Sequence, residues 1–324
     1  MQNNKEQIVK DLFYNNLKIR DNVFIISENS NFLNQKQTNN AFSEKWIEYN
    51  KQEIDQQKKL FKFQKEWYLK LYGFSNEKNL QEYLSNKKII LDAGCGLGYK
   101  AKWFADLSPE SFIVAMDYSD SIFLAAKNYA NKNNLIFVKN DISNTQIKSN
   151  SIDYVSCDQV LHHTEDPQMT AIEFSRILKI GAELAVYVYA KKALPRELID
   201  DYFREKCKSI SKDEMWKFSQ QLTELGKRLS KLKVNIDVPE IPLLNIKSGK
   251  IDIQRFIYWN FLKCYWNDEL GEEISKSTNY DWYSPSNAYR YSKDEFKQLL
   301  KKANFMTRPH HSEEACHAGR FTRI

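Results

Sequence analysis

The sequence predicts an α/β protein: a doubly wound, mostly parallel sheet with a helical region before it and a helical insertion within it. Three features carry this reading. From Lys88 onward, short apolar runs alternate with helix-period segments, the pattern of parallel strands joined by crossover helices. A glycine-rich loop, Leu91-Asp92-Ala93-Gly94-Cys95-Gly96-Leu97-Gly98, stands between the first of those runs and the first helix-like segment. Residues 1 to about 85, and again Lys191 to about Thr278, keep a helical texture without the alternation.

Residues 1–85 contain one glycine, Gly73, and no proline, and read as helices. Between Ala41 and Leu71 the apolar residues Phe42, Trp46, Tyr49, Leu60, Phe61, Phe63, Trp67, Leu69 and Leu71 recur at mixed three and four spacing, as on an amphipathic face docked on a core. Residues 86–190 form the core. Ile89 to Ala93, Phe112 to Met116, Ile136 to Val138, Tyr154 to Cys157 and Ala185 to Tyr189 are short, β-branched or aromatic, and strand-like. Between them Tyr99 to Leu107, Ser121 to Asn131 and Pro167 to Leu178 are helix-like, the last opening with Asp166 as N-cap and Pro167 at the first helical position. Residues 191–280 read as a helical lid, basic between Lys206 and Lys233 and aromatic between Phe256 and Trp266. Residues 281–324 complete the core: Ser292 with Glu295 three residues on has capping-box spacing for a helix to Ala303, and Phe305 to Arg308 with Arg320 to Ile324 can close the sheet edge as an antiparallel pair.

Composition narrows the function classes. At 324 residues the chain corresponds to about two typical domains, or one with a large elaboration. With 42% hydrophobic and 28% charged residues it is a packed globular protein and not a disordered one. There is no run of roughly 20 apolar residues to cross a bilayer, and no secretory leader pattern in the first twenty residues, so a soluble, cytoplasmic protein is expected. The net charge of +6 belongs to a mixed-charge surface and is no argument for nucleic acid. Cys95, Cys157, Cys207, Cys264 and Cys316 form no C-x-x-C pair, which fits a reducing compartment with neither disulfides nor a zinc knuckle.

The glycine loop is the sharpest chemical signal. Its glycines let the backbone turn tightly and bring N–H groups to a ligand at a helix N-terminus. A dinucleotide loop needs its third glycine at position 99, which is tyrosine; here it falls at Gly98, so the dehydrogenase pattern fails. Asp117 ends the next strand 117 − 98 = 19 positions on, about where an acid reaches a ribose diol. After the third strand, Asp141 with Ile142 pairs a carboxylate acceptor with an apolar contact. Loop, ribose acid and base acid thus follow three successive strands, at the carboxyl edge where such sheets bind ligands.

With these residues the chain resembles the class I S-adenosylmethionine-dependent methyltransferases of the branch with a D-x-G-x-G-x-G loop and an L-H-H segment after the fourth strand. The resemblance covers Lys88 to Tyr189, including Arg176-Ile177-Leu178-Lys179-Ile180-Gly181 where the family commonly has R-x-L-K-P-G. More loosely, Thr38 to Phe42 with Trp46, and Asp281-Trp282-Tyr283-Ser284-Pro285, look like flanks of methyltransferases acting on glycans and natural products. The resemblance implies a seven-stranded Rossmann-like sheet and S-adenosylmethionine as cofactor. It further implies that the Gly94 to Gly98 loop, with Gly94, Cys95, Gly96 and Gly98, approaches the methionine part, Asp117 the ribose, and Asp141 with Ile142 the adenine; Asp92, Tyr118, Asp158 and Gln159 complete the expected cofactor set.

Asp158-Gln159-Val160-Leu161-His162-His163 follows the fourth strand, and its histidines are candidate general bases, His163 ahead of His162 because it matches the family's commoner histidine. The alternative for each is shaping the pocket or bonding backbone. The cluster His310 to His317 holds metal-ligand residue types at no known spacing and is read as a solvated turn, with Arg320 as a pocket-edge partner for an anion the next alternative; no metal is expected. The aromatic run Phe256 to Trp266 covers an acceptor pocket, or else is a buried helix or a homodimer contact. The leading expectation is an enzyme transferring a methyl group to an oxygen or nitrogen of a small-molecule acceptor, a sugar or specialised metabolite, under the 191–278 lid. RNA or protein methylation is the alternative within enzymes, although no N-P-P-Y or D-P-P-Y motif follows the fourth strand. A non-catalytic cofactor-binding partner subunit is the alternative outside them.

Overall fold

The computed structural model describes residues 2–14, 17–27 and 30–324. The chain opens with α1 (Gln2–Leu12), a hairpin of β1 (Lys18–Arg20) and β2 (Val23–Ile25), then α2 (Leu33–Asn50), α3 (Ile54–Leu71) and α4 (Glu77–Ser85). The alternating core follows as β3 (Ile89–Ala93), α5 (Tyr99–Leu107), β4 (Phe112–Asp117), α6 (Ser121–Asn128), β5 (Leu135–Lys139), β6 (Ile152–Cys157), α7 (Pro167–Ile177) and β7 (Leu178–Ala190). An insertion holds α8 (Leu194–Cys207), α9 (Lys212–Lys231), β8 (Asn235–Val238), β9 (Gly249–Asp252), α10 (Ile253–Asn260) and α11 (Gly271–Tyr283). The chain ends with β10 (Arg290–Tyr291), α12 (Lys293–Lys302), β11 (Phe305–Met306), β12 (His311–Ser312) and β13 (Cys316–Arg323).

One sheet runs β1-β2-β5-β4-β3-β6-β7-β13-β11, with β10 added to β7 and β12 to β13. Its centre is the expected seven strands, β5-β4-β3-β6-β7-β13-β11, parallel from β5 to β7 and closed by antiparallel β13 and β11. Strand order reverses between β3 and β6, so the crevice of a doubly wound sheet falls at their carboxyl ends. One face buries Val114, Ile136, Val155 and Leu184 with Val9 of α1, Phe13 just after it, Phe174 of α7 and Phe296 of α12. The other buries Ile90, Ile113, Phe137 and Tyr154 with Tyr68 of α3, Leu80 of α4 and Phe104 of α5. The helix starts form as their sequences dictate: the Asp166 side chain accepts from the Gln168 and Met169 N–H groups, and Ser292 with Glu295 closes a full capping box.

Two expectations need correction. Residues 1–85 are not wholly helical, because β1 and β2 form a hairpin that extends the sheet parallel to β5. Its two-residue turn is Asp21-Asn22, both at positive φ (51° and 62°), conformations these short polar side chains tolerate. The insertion likewise contains the β8–β9 hairpin among its helices. In α9 the backbone approaches a neighbour so closely that a Cβ at Gly226 would stand 2.3 Å from the Cys264 carbonyl oxygen, which explains the glycine in that helix.

Candidate functional site

The glycine loop turns from β3 into α5 with Gly94, Gly96 and Gly98 all at positive φ. Gly94 and Cys95 donate their N–H groups to the Met116 carbonyl (2.8 and 3.1 Å), and Gly96 donates to Asp117 Oδ2 (2.7 Å), tying the loop to the end of β4. A Cβ on Gly94 would lie 2.4 Å from a Val160 methyl, so glycine is required there both by conformation and by room. Asp117 also accepts from the Ser119 N–H (2.8 Å) and Ser119 hydroxyl (2.6 Å). Asp141, after β5, accepts from the Ser143 N–H (2.8 Å), and burial raises its carboxyl above the usual range.

These strand ends open into one pocket, about 1290 Å³ counted to its mouth. Gly94, Cys95, Asp117, Tyr118, Asp141, Ile142, Asp158, Gln159 and His163 line it. Asp92, Gly96, Gly98 and His162 do not. Asp92 lies fully buried beneath the loop, where burial raises its carboxyl to about 6. Neither of its oxygens makes a well-formed hydrogen bond, while Lys100 Nζ stands 3.3 Å from Asp92 and 3.5 Å from Asp158.

The roof is the part that sequence reasoning missed. It comes from α2 and α3, which contribute Gln35, Thr38, Phe42, Trp46, Phe61 and Tyr68 among others, and from Lys45 paired with Asp281. None of residues 191–280 lines the pocket, so the expected cover by the insertion is corrected. Its aromatic run is internal: Tyr258 is buried against Arg196, and Trp266 is buried with its indole N–H donated to Asp268. Thr38, Phe42 and Trp46 lay in a flank noted for resemblance, but nothing in their spacing shows that α2 folds back over the loop. Hydroxyl contacts fasten α3 below it: Tyr68 to Tyr154 (2.6 Å) and Ser156 (3.2 Å), and Tyr72 to Asp158 (2.8 Å).

The two histidines separate. His163 shares a 2.6 Å hydrogen bond between Nδ1 and the Asn287 carbonyl, and since a carbonyl only accepts, the proton sits on Nδ1 and the lone pair on Nε2. Burial pushes its pKa down to about 4, so the ring is neutral at physiological pH. Phe42 meets it edge-on at 4.8 Å. His162 is fully buried off the pocket, 3.8 Å from the Tyr189 ring, without a well-formed hydrogen bond at either nitrogen, and burial holds it neutral. As a candidate base it is corrected by this placement: it packs behind Tyr189, and Tyr189 lines the pocket. Arg320 faces no anion site either, since it donates to the Tyr72 carbonyl and to Glu183 while stacking on Phe74.

Behind Tyr189 the Trp282 indole is surrounded by Lys263 (4.6 Å), Arg196 (5.2 Å), Lys192 (5.5 Å) and Arg204 (5.9 Å). Arg196 is neutralised by the buried Asp200, whereas among the described residues no carboxylate pairs with Lys192 or Lys263, and burial lowers both to about 7.

A glycine turn with a carboxylate at the end of each of the next two strands and a buried carboxylate–ammonium cluster, at the reversal point of a parallel sheet, is the arrangement of an α/β nucleotide-binding fold. Residues 91–186 match the family model described as a methyltransferase domain. This segment is a methyltransferase domain of the class I S-adenosylmethionine-dependent type, for which S-adenosylmethionine is the cofactor. Over 99 residues it is 31% identical to an uncharacterised chloroplastic methyltransferase of Arabidopsis thaliana, covering 28% of each chain. It is 29% identical over 111 residues to a malonyl-[acyl-carrier protein] O-methyltransferase of Coxiella burnetii, covering 34% of this chain and 45% of that one. With the sterol 24-C-methyltransferase of Schizosaccharomyces pombe it shares 29% over 117 residues, 35% of this chain and 29% of that one. The chain therefore spans less than half the length of these relatives. A solved S-adenosylmethionine-dependent methyltransferase from Aquifex aeolicus aligns over 84% of this chain and 100% of its own at 14% identity and a TM-score of 0.42.

The residues present fit that cofactor. Lys100 and Asp158 line the pocket 3.5 Å apart and offer both charges a zwitterionic amino-acid group requires, with Asp92 buried beneath them beside Lys100. Asp117 would take the ribose hydroxyls, with Asp141 and Ile142 at the adenine, and the Phe42, Trp46 and Tyr189 rings suit a cationic sulfur. Among the described residues, no helix is long and apolar enough to cross a membrane.

Proposed function

We propose that this chain is an S-adenosylmethionine-dependent methyltransferase acting in the cytoplasm on an oxygen or nitrogen of a small-molecule acceptor. The observation that carries the acceptor class is the roof: α2 and α3 close over the glycine loop, so the space beside His163 is a pocket and not an open groove for a polymer. When bound, S-adenosylmethionine supplies an electrophilic methyl group on a sulfonium.

The chain's own residues provide positioning, exclusion of water and a proton acceptor. The neutral His163 imidazole takes the acceptor's proton at Nε2 as the acceptor attacks, because its Nδ1 proton is held by Asn287. Phe42, Trp46 and Tyr189 exclude water, which would otherwise compete as acceptor. The Lys45–Asp281 pair at the pocket wall orients the acceptor's polar groups. Relatives of the matched segment include an oxygen and a carbon methyltransferase, and the neutral His163 imidazole favours an acceptor that loses a proton from oxygen or nitrogen.

The test is incubation of the purified chain with methyl-labelled S-adenosylmethionine and cell extract separated into small solutes, RNA and protein. Label in small solutes is expected. Label confined to RNA or protein overturns the acceptor class, and absence of label together with absence of cofactor binding by calorimetry overturns the activity.

A further inference from the structure

The C-terminal hairpin holds a cluster that methyl transfer does not use. The Glu313 N–H donates to the Cys316 carbonyl (3.0 Å) and the Cys316 N–H to the Glu313 carbonyl (3.2 Å), leaving Glu314-Ala315 as a two-residue turn between β12 and β13. Because side chains alternate along a strand, His311 and Glu313 share one face, and Cys316, directly opposite Glu313, shares it too. Ser312 and His317 point the other way, where they bond each other at 2.8 Å. The imidazole nitrogen of His311, a Glu313 carboxylate oxygen and the Cys316 sulfur consequently all lie within 4.8 Å of one another. Among the described residues no other three such groups meet in this way. His311 Nε2 is itself buried, 3.0 Å from Glu313 Oε2, yet makes no well-formed hydrogen bond.

We propose that His311, Glu313 and Cys316 bind a zinc-class divalent cation, with solvent as fourth ligand. Imidazole nitrogen, thiolate sulfur and carboxylate oxygen are the zinc donor set, whereas calcium and magnesium require oxygen alone. Ligands about 2.0 to 2.3 Å from one tetrahedral ion stand roughly 3.5 Å apart, so the cluster closes by about 1 Å on binding. Cys316 is fixed in the sheet, pairing with Tyr189 of β7, while His311 and Glu313 are partly exposed at the hairpin tip and free to adjust. Lys70, 4.0 Å from Glu313, packs on Trp67 but is largely exposed and can turn to solvent. The cation would clamp the tip of the β12–β13 hairpin, whose β13 pairs with the strand that carries Tyr189, a role independent of the methyl-transfer reading.

The test uses the full chain after chelator treatment, titrated with Zn²⁺ against a chromophoric competitor and separately with Co²⁺. One cation per chain is expected, with a thiolate-to-cobalt absorption band in the near ultraviolet. His311→Ala and Glu313→Gln, both at the hairpin tip, should weaken Zn²⁺ binding more than the about 10- to 100-fold seen on loss of outer-shell partners, and Cys316→Ser should abolish the band. Stoichiometric binding that survives His311→Ala at unchanged affinity, a missing thiolate band in the wild type, or no uptake at micromolar Zn²⁺ each overturns the site. If Cys316→Ser fails to fold, the His311 and Glu313 variants still decide.

Discussion

His163→Asn removes the candidate base while keeping a donor for the Asn287 carbonyl, and it separates titration from packing. In the folded chain burial holds His163 at about 4, against about 6.5 for an unfolded histidine. Between these values the unfolded chain binds a proton that the folded chain refuses, so stability is retained above pH 6.5 and lost as pH falls through 4. At 1.36 kcal/mol per pH unit the gap is worth about 3 kcal/mol by pH 4. Urea unfolding of wild type and variant at pH 7 and pH 4, followed by circular dichroism, reads the difference. The other depressed histidines, His162, His310 and His317, are present in both proteins and cancel. The variant should lose about 3 kcal/mol less than wild type across that range, whatever its stability at pH 7. Equal losses would refute the buried, neutral imidazole. In turnover, the same substitution should lower kcat about 10²- to 10⁴-fold with cofactor affinity nearly unchanged. Wild-type kcat should stay level from pH 8 down to about 5.5, since the base form persists to about pH 4. A fall centred near 6.5 would instead place the imidazole in water.

Further outcomes follow from other residues. Gly94→Ala forces a side chain into positive φ and against Val160, costing about 2 to 5 kcal/mol in all; adding Val160→Ala should recover the steric part in thermal unfolding, and no recovery would show that conformation alone is at fault. Asp117→Asn should weaken S-adenosylhomocysteine binding in calorimetry by about 1 to 3 kcal/mol, and unchanged affinity would remove Asp117 from the site. Lys263, lowered to about 7 by burial, binds a proton only when unfolded between about 7 and 10.5, so wild-type stability rises with pH across that window. Lys263→Met should therefore be about 1 to 4 kcal/mol more stable than wild type at pH 7, the advantage shrinking toward pH 10; a variant less stable at both would show that the ammonium is compensated.

The floor of the site was legible in the sequence and its roof was not. β3, the glycine loop, Asp117, Asp141 and the Asp158 to His163 segment follow one another in chain order, and a parallel sheet brings strand ends to one edge by rule. Helix starts at Asp166 and Ser292 were equally readable, because capping is a contact between near neighbours in sequence. By contrast, the β1–β2 hairpin turns on Asp21-Asn22, which lacks the glycine that usually signals such a turn. The distinction between His162 and His163 rests on a contact across 124 positions, and the roof on contacts across more than 230. The hairpin cluster at His311, Glu313 and Cys316 was hidden for a related reason: its residue types were visible, but strand register decides which of them share a face.

The roof and the candidate base are held by the same bonds. Thr38 Oγ1 of α2 accepts from the Asn287 N–H (3.0 Å), and the carbonyl of that same residue holds His163 Nδ1. Gln37 accepts from the Ser286 N–H (2.7 Å) and donates to the Ser284 carbonyl (2.7 Å), while Tyr280 donates to Glu44 (2.9 Å) and Lys45 pairs with Asp281. The segment from Tyr280 to Asn287 is thus stitched along α2 on one side and fixes the imidazole on the other. The Thr38 bond thus ties the position of α2 to the residue whose carbonyl sets the His163 tautomer, and the Asn287 side chain is held in addition by Gln35 of α2 and by Glu165. The helix that covers the pocket and the carbonyl that orients the imidazole are therefore parts of one hydrogen-bonded unit, so a substitution at Thr38 is felt at both.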